Sequence, residues 1–151
     1  MNDRNPSVFL GRGREDSLRR RHPWIFSGAV SRLEGEPASG ETVEVLSRDG
    51  EWLARGAWSP HSQIRIRVWT FDEKEPVDEG FFRRRLERAV RGRPEEPGEE
   101  CGRLVYSESD GLPGLIVDRY GPWLVCQFLS AGPEARRETI GALLTEITGC
   151  R

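Results

Sequence analysis

Hydrophobic and polar positions change their rhythm twice along this chain. Ser7 to Leu10 is a short apolar run, predicted as a strand, that leads into Gly11-Arg12-Gly13-Arg14, a glycine-loosened basic loop. Glu15 to Arg21 then reads as a short helix. Its first turn carries Glu15 and Asp16 and its last turn arginines, so both ends complement the helix dipole. Pro23 disfavours helical geometry at His22 and ends the helix near Arg21. Trp24 to Val30 is apolar and interrupted by Gly28. After the turn-rich Gly35 to Gly40, a period of two takes over. Val43 and Val45 share one face of a strand over Thr42–Leu46, and Arg48-Asp49-Gly50 supplies a hairpin turn. Trp52, Ala54, Gly56 and Trp58 then line one face of the return strand. Gln63 to Phe71 alternates most cleanly, with Ile64, Ile66 and Val68 on one side and Arg65 and Arg67 on the other. Short, closely spaced strands and one helix predict a small mixed β-barrel.

From Asp78 the period becomes helical. Asp78 is placed as N-cap, and Phe82, Leu86, Ala89 and Val90 recur at helical spacing to the neighbourhood of Arg91. The arginines at 83 to 85 lie on this helix near Glu79 and Glu87 and read as a solvated face. Gly92 to Gly102, with two prolines and three glycines, reads as a linker or mobile loop. Strands are then expected over Leu104–Glu108, Leu115–Arg119 and Trp123–Leu129, with Pro113-Gly114 placed for a type II bend. A last helix, from near Pro133 to Thr148, carries the apolar stripe Ile140, Leu143, Leu144 and Ile147. The fold class is α+β. Residues 1–76 form the barrel, 77–102 a helix and linker, and 103–151 a second small strand-and-helix layer that lacks further strands to complete its sheet.

Charge gives this layout a polarity. The chain has 23 basic and 25 acidic residues, net −2, and only Lys74 among the bases is lysine. Residues 1–70 hold 11 basic and 9 acidic residues, residues 71–151 hold 12 and 16, and residues 1–24 alone hold 6 and 3. A nucleic-acid surface is therefore expected to be local and N-terminal. Arginine suits phosphate forks and base stacking. Within this region Arg12, Arg14, Arg19, Arg20, Arg21, His22 and Trp24 are the candidate RNA contacts: guanidiniums for phosphates beside flat rings for bases. At i,i+4 spacing Glu15 can pair with Arg19 and Asp16 with Arg20, which leaves Arg14 and Arg21 the least neutralised. The competing reading is a solvated, salt-bridged helix without a partner.

Other chemistry is thinly represented. No run of about 18 apolar residues exists, so no membrane span is expected, and the N-terminus lacks a signal-peptide apolar core. Cys101, Cys126 and Cys150 show no CxxC spacing, which fits a reducing cytoplasm better than a disulfide framework or zinc site. With His22 and His61 the only histidines, a histidine-rich metal site is not expected. Cys126, in an apolar strand, reads as core; Cys101 lies in a polar loop; Cys150 stands near the chain's last residue. Glu108 and Asp110 fall in a turn that glycine and proline explain sterically, so no catalytic pair is assigned.

Taken together, the runs Arg19 to Val30, Leu53 to Phe71 and Arg103 to Gly121 closely resemble the N-terminal part of the bacterial S-adenosylmethionine-dependent 23S rRNA cytosine-5 methyltransferases. The resemblance implies a PUA-type RNA-binding barrel at 1–76, then part of a central α+β domain truncated before its last strands. It implies rRNA as partner and S-adenosylmethionine as cofactor of the longer parent, with no cofactor-binding or catalytic residue in these 151. None of the three cysteines takes the family's catalytic role. On this reading the chain is the RNA-recognition and scaffold region of such an enzyme. A self-contained protein-interaction or small-ligand module is the alternative. A further expectation is a homodimer through the open sheet edge, with Cys150 placed to lock it under oxidation.

Overall fold

The structure is a computed structural model that describes residues 5–93 and 101–151. Two compact units divide the chain, Met1–Pro76 and Val77–Arg151.

The first unit contains β1 (Ser7–Leu10), α1 (Asp16–Arg19), β2 (Trp24–Phe26), β3 (Val30–Glu34), β4 (Thr42–Leu46), β5 (Trp52–Trp58) and β6 (Ile64–Thr70). The strands form one curled sheet, a half-barrel, in the order β2-β6-β5-β4-β1-β3. Neighbours run antiparallel except β1 and β4, which are parallel. The period-two pattern is what the core uses: Val8, Leu10, Val43, Val45, Ala54, Ile66 and Val68 are buried together, and Leu18 of α1 joins them. Gly56 sits at a bulge where β5 and β6 approach closely. A Cβ there would stand 2.6 Å from both the Arg67 carbonyl oxygen and Ile66 Cγ2.

Two expectations in this unit need correction. The strand β3 was not legible, because four of its five residues are exposed and it pairs only with β1 at the sheet edge. No alternation marks such a strand. The helix α1 is also shorter than the predicted Glu15–Arg21. Arg20 is its C-cap and Arg21 adopts the left-handed conformation at φ 64°.

The second unit contains α2 (Glu79–Arg91), β7 (Cys101–Tyr106), β8 (Leu115–Tyr120), β9 (Trp123–Phe128), α3 (Ala131–Ala135) and α4 (Arg137–Thr148). Its sheet is antiparallel in the order β7-β8-β9. Asp78 Oδ1 accepts the Phe81 N–H at 2.8 Å, the expected cap, and α2 buries Phe81, Phe82, Leu86 and Ala89. Helix α2 lies against both α4 and β7, so the cover expected from the last helix alone is shared. The Pro113-Gly114 bend forms, with Gly114 at φ 82° and the Leu115 N–H bonded to the Leu112 carbonyl at 3.0 Å.

Here too the structure corrects details. The strand β7 stops at Tyr106, because Ser107 turns to φ 49° and opens a 3₁₀ turn to Asp110. The last helix is broken at Arg136, whose N–H bonds three residues back to Pro133 and whose φ is −112°. Arg83 and Arg85 are not merely solvated. Arg83 forks onto Glu146 of α4 at 2.7 and 3.0 Å. Arg85 lies over the Phe81 ring and donates to the Gly111 carbonyl. Cys101 is exposed at the start of β7 rather than in a loop. Cys126 is only half-buried, and burial pushes its thiol up from its ordinary value, away from a reactive thiolate. Cys150 is 4% exposed, with its sulfur near the Gly121 and Thr148 carbonyls, so it offers no surface thiol for a dimer lock. The centre of the expected linker, residues 94–100, lies outside the described residues.

Candidate nucleic-acid interface

The basic loop is a closed turn rather than a loose one. The Arg14 N–H bonds to the Gly11 carbonyl at 3.0 Å, with Gly13 at φ 72°. The Gly11 N–H is tied to the Ala29 carbonyl at 2.9 Å, which anchors the turn to the residue just before β3. Arg12 and Arg14 project from it, both exposed.

The helix α1 ends in two nested bonds. The Arg21 N–H reaches the Leu18 carbonyl at 2.8 Å and the His22 N–H reaches the Ser17 carbonyl at 3.0 Å. This is a Schellman motif, and its left-handed position usually takes glycine. Here Arg21 occupies it, a conformation that costs a side-chain-bearing residue about 1 kcal/mol or more. The motif holds the backbone, and the guanidinium rests over the Phe71 ring with Cζ 5.2 Å from its centroid.

The predicted acid pairing does not form. Arg19 forks onto Glu51, at the start of the β5 return, with N–O distances of 2.6 and 3.3 Å. That hydrogen bond, then the charge of Glu51, raises the Arg19 guanidinium above its ordinary value. No ion pair joins Asp16 to Arg20. Among the described residues Arg12, Arg14, Arg20 and Arg21 therefore have no carboxylate partner. The helical spacing itself is in place, since the Arg19 and Arg20 N–H groups bond to the Glu15 and Asp16 carbonyls at 3.0 and 3.2 Å, but the β4–β5 hairpin presents Arg19 with a nearer acid.

Past the helix, aromatic rings line up. His22 and Trp24 meet edge-to-face with centroids 5.9 Å apart, and Trp24 and Phe26 do so at 6.5 Å. The Trp24 backbone holds the imidazole, with its N–H 3.2 Å and its carbonyl oxygen 3.4 Å from His22 Nδ1. On β2, Trp24 and Phe26 point away from buried Ile25, and Phe26 is 49% exposed.

A hollow of about 340 Å³ opens beside α1, lined by Leu18, Arg19, Arg21, Glu51, Trp52 and Phe71 among others. Trp52, Glu51 and Phe71 are not among the candidate contacts read from the sequence, which placed Trp52 on a strand face only. A bulge opposite Leu46 inserts Leu53 between the paired positions Trp52 and Ala54, which takes Trp52 off the core face that strict alternation assigns. Trp52 Nε1 donates to Glu44 Oε2 at 2.6 Å, which fixes the indole.

Gly11-Arg12-Gly13 is not built as a dinucleotide-type glycine loop. The strands β1 and β2 that flank Gly11-Arg12-Gly13 are not neighbours in the sheet and form no parallel βαβ unit. That loop thus does not fit S-adenosylmethionine by the βαβ route.

Comparison with known proteins finds a match for the barrel residues. Residues 8–71 match the family described as PUA-like domain. The matched residues span the strands of the half-barrel from β1 to β6. Over 148 residues the chain is 55% identical to "Ribosomal RNA large subunit methyltransferase I" of Salmonella arizonae, covering 96% of this chain and 36% of that protein. The protein of that name from Salmonella paratyphi C is 53% identical over the same coverage. The chain spans about a third of the length of the curated relatives it matches. Among solved structures, a Streptococcus mutans protein assigned as a SAM-dependent methyltransferase superposes with a TM-score of 0.78 at 15% identity, over 95% of this chain and 38% of that one. SMU.776, assigned as a methyltransferase and solved with SAH, gives 0.79 at 15% identity. At that identity the likeness shows a shared fold.

Proposed function

We propose that this chain is the RNA-recognition and scaffold region of an S-adenosylmethionine-dependent rRNA methyltransferase, with no catalysis of its own. One observation carries the reading. Arg12, Arg14, Arg20 and Arg21 stand exposed within ten residues, without carboxylate partners among the described residues, in a chain whose acids outnumber its bases. They flank the ring series His22, Trp24 and Phe26 on the PUA-like domain. The printed name of the curated relatives supports large-subunit rRNA as target, and the SAH complex of a fold neighbour supports the methyl donor for a longer protein. Methylation at cytosine C5 and a cytoplasmic location belong to the same proposal. Among the described residues no helix is long and apolar enough to cross a membrane.

The test is filter binding of the chain to structured rRNA fragments across a salt series. Affinity is expected to fall steeply with salt, and loss of Arg12, Arg14, Arg20 and Arg21 together is expected to flatten the slope by about three to four. Salt-independent binding, or none, overturns the reading. A second reading, a protein-interaction module, draws on the exposed Tyr106, Tyr120, Trp123 and Val125 of the second unit. It predicts a protein partner whose capture is insensitive to the four arginines.

A further inference from the structure

We infer that the hollow beside α1 is a receptor for one unpaired nucleotide of the bound RNA strand, an inference that rests on the RNA-recognition reading above. At about 340 Å³ it lies at the small end of ligand sites, which run from roughly 300 to 1,000 Å³. It has room for a single planar group and none for the stacked end of a duplex. Buried Leu18 and half-buried Leu53 give it apolar lining. Trp52 and Phe71 supply two rings, both half-buried, so each keeps exposed surface. The chemistry of the rim is sorted. Glu51 neutralises Arg19 with a forked bond, and the pair forms a polar wall. Arg21, stacked over Phe71, keeps its charge for an anion, with exposed Arg20 beside it in sequence. A flat, apolar-faced ring with an attached phosphate matches that layout: the base on Trp52 or Phe71, the phosphate at Arg21.

The parts are set before a ligand arrives. Glu44 holds the Trp52 indole through Nε1, and the Schellman motif holds Arg21 in a conformation its side chain disfavours. Strain kept at a ligand clamp is a common form of preorganisation. Bases within a duplex are stacked on both faces and cannot enter. Unpaired bases can, and their stacking on aromatic rings tolerates any sequence.

The experiment uses the intact chain and a short RNA hairpin with a single-stranded tail that carries 2-aminopurine, whose fluorescence is quenched on stacking. The expected result is quenching in the tailed RNA, absent when a complementary strand pairs the tail, and a preference of about tenfold for the tailed over the fully paired form. Phe71→Leu, which keeps apolar cover, and Arg21→Gly, which suits the backbone, are each expected to reduce that preference to about twofold or less. Circular dichroism on the same samples reports whether each variant is folded. If RNA binds with a normal salt slope but the wild-type chain shows no quenching or no tail preference, the receptor is overturned while RNA recognition stands. Undiminished quenching in both folded variants overturns it equally. Absence of any salt-dependent RNA binding overturns both.

Discussion

At the scale of single residues, Arg21 and Gly56 make opposite demands on the backbone. Arg21 stands where glycine would be preferred, at φ 64°. Arg21→Gly is expected to leave the chain as stable or to stabilise it by up to about 1 kcal/mol, because relief of the left-handed conformation is partly offset by the glycine's greater unfolded freedom. RNA binding should weaken in the same variant. Denaturant midpoints and filter binding on one preparation check this, and a matched loss of stability would assign the guanidinium a structural role through Phe71. Gly56 has no such latitude. An added Cβ meets the Arg67 carbonyl and Ile66 at 2.6 Å, both on the neighbouring strand. Gly56→Ala is expected to cost about 3 kcal/mol by overpacking, seen as a lower thermal midpoint.

At the scale of elements, β4 and β5 are joined by more than their ladder. Glu44 faces Arg55 across the strands and accepts from Arg55 Nε at 2.7 Å, Trp52 Nε1 at 2.6 Å and Asn5 Nδ2 at 2.8 Å. Burial by itself would raise the carboxyl, but the three donors outweigh it and hold Glu44 below its ordinary 4.5. A carboxylate depressed in the folded state adds stability that is complete above its unfolded value and is lost as pH falls through the folded one. The contribution should therefore be constant at neutral pH and fade below about 4.5. Glu44→Gln is expected to cost about 2 kcal/mol at neutral pH. Its denaturation midpoint should also depend less on pH in the acid range. A variant with an unchanged acid limb would mean that other carboxylates carry it. Because the same carboxylate aims Trp52, Glu44→Gln links barrel stability to the shape of the nucleotide hollow.

At the scale of the whole molecule, the second sheet ends on β9, whose outer edge is already used at one point. The Arg151 N–H bonds to the Pro122 carbonyl at 2.8 Å and the Leu124 N–H to the Arg151 carbonyl at 2.6 Å. This places Arg151 parallel to Trp123, with its guanidinium 5.7 Å from that ring's centroid. Further along, Val125 and Leu129 are 47% and 60% exposed. An apolar edge of this kind is a template for another chain. Concentration-dependent association is expected by light scattering, and Val125→Lys is expected to suppress it. A monomer at every concentration would show that the edge is protected by its own twist and side chains. Buried Cys150 takes no part in that association.

How much of this was legible follows from what each feature depends on. Barrel strands β4, β5 and β6, the capped helix α2, the Pro113-Gly114 bend and the N-terminal basic cluster were all readable, because each rests on local rules: side-chain period, cap chemistry, turn residues and the sum of charge along a short run. Sequence alone determined that much, together with the resemblance carried by three extended runs. Tertiary structure decided the rest. Exposed β3 exists only because β1 is there to pair with it, and Arg19 chose Glu51 over Glu15 because the hairpin brought a distant acid closer than the helix's own. The ring wall of the hollow depends on a bulge that displaces Trp52, and a one-residue slip in pairing changes which face a side chain joins. Such choices are made between residues far apart in the chain, where no local pattern records them.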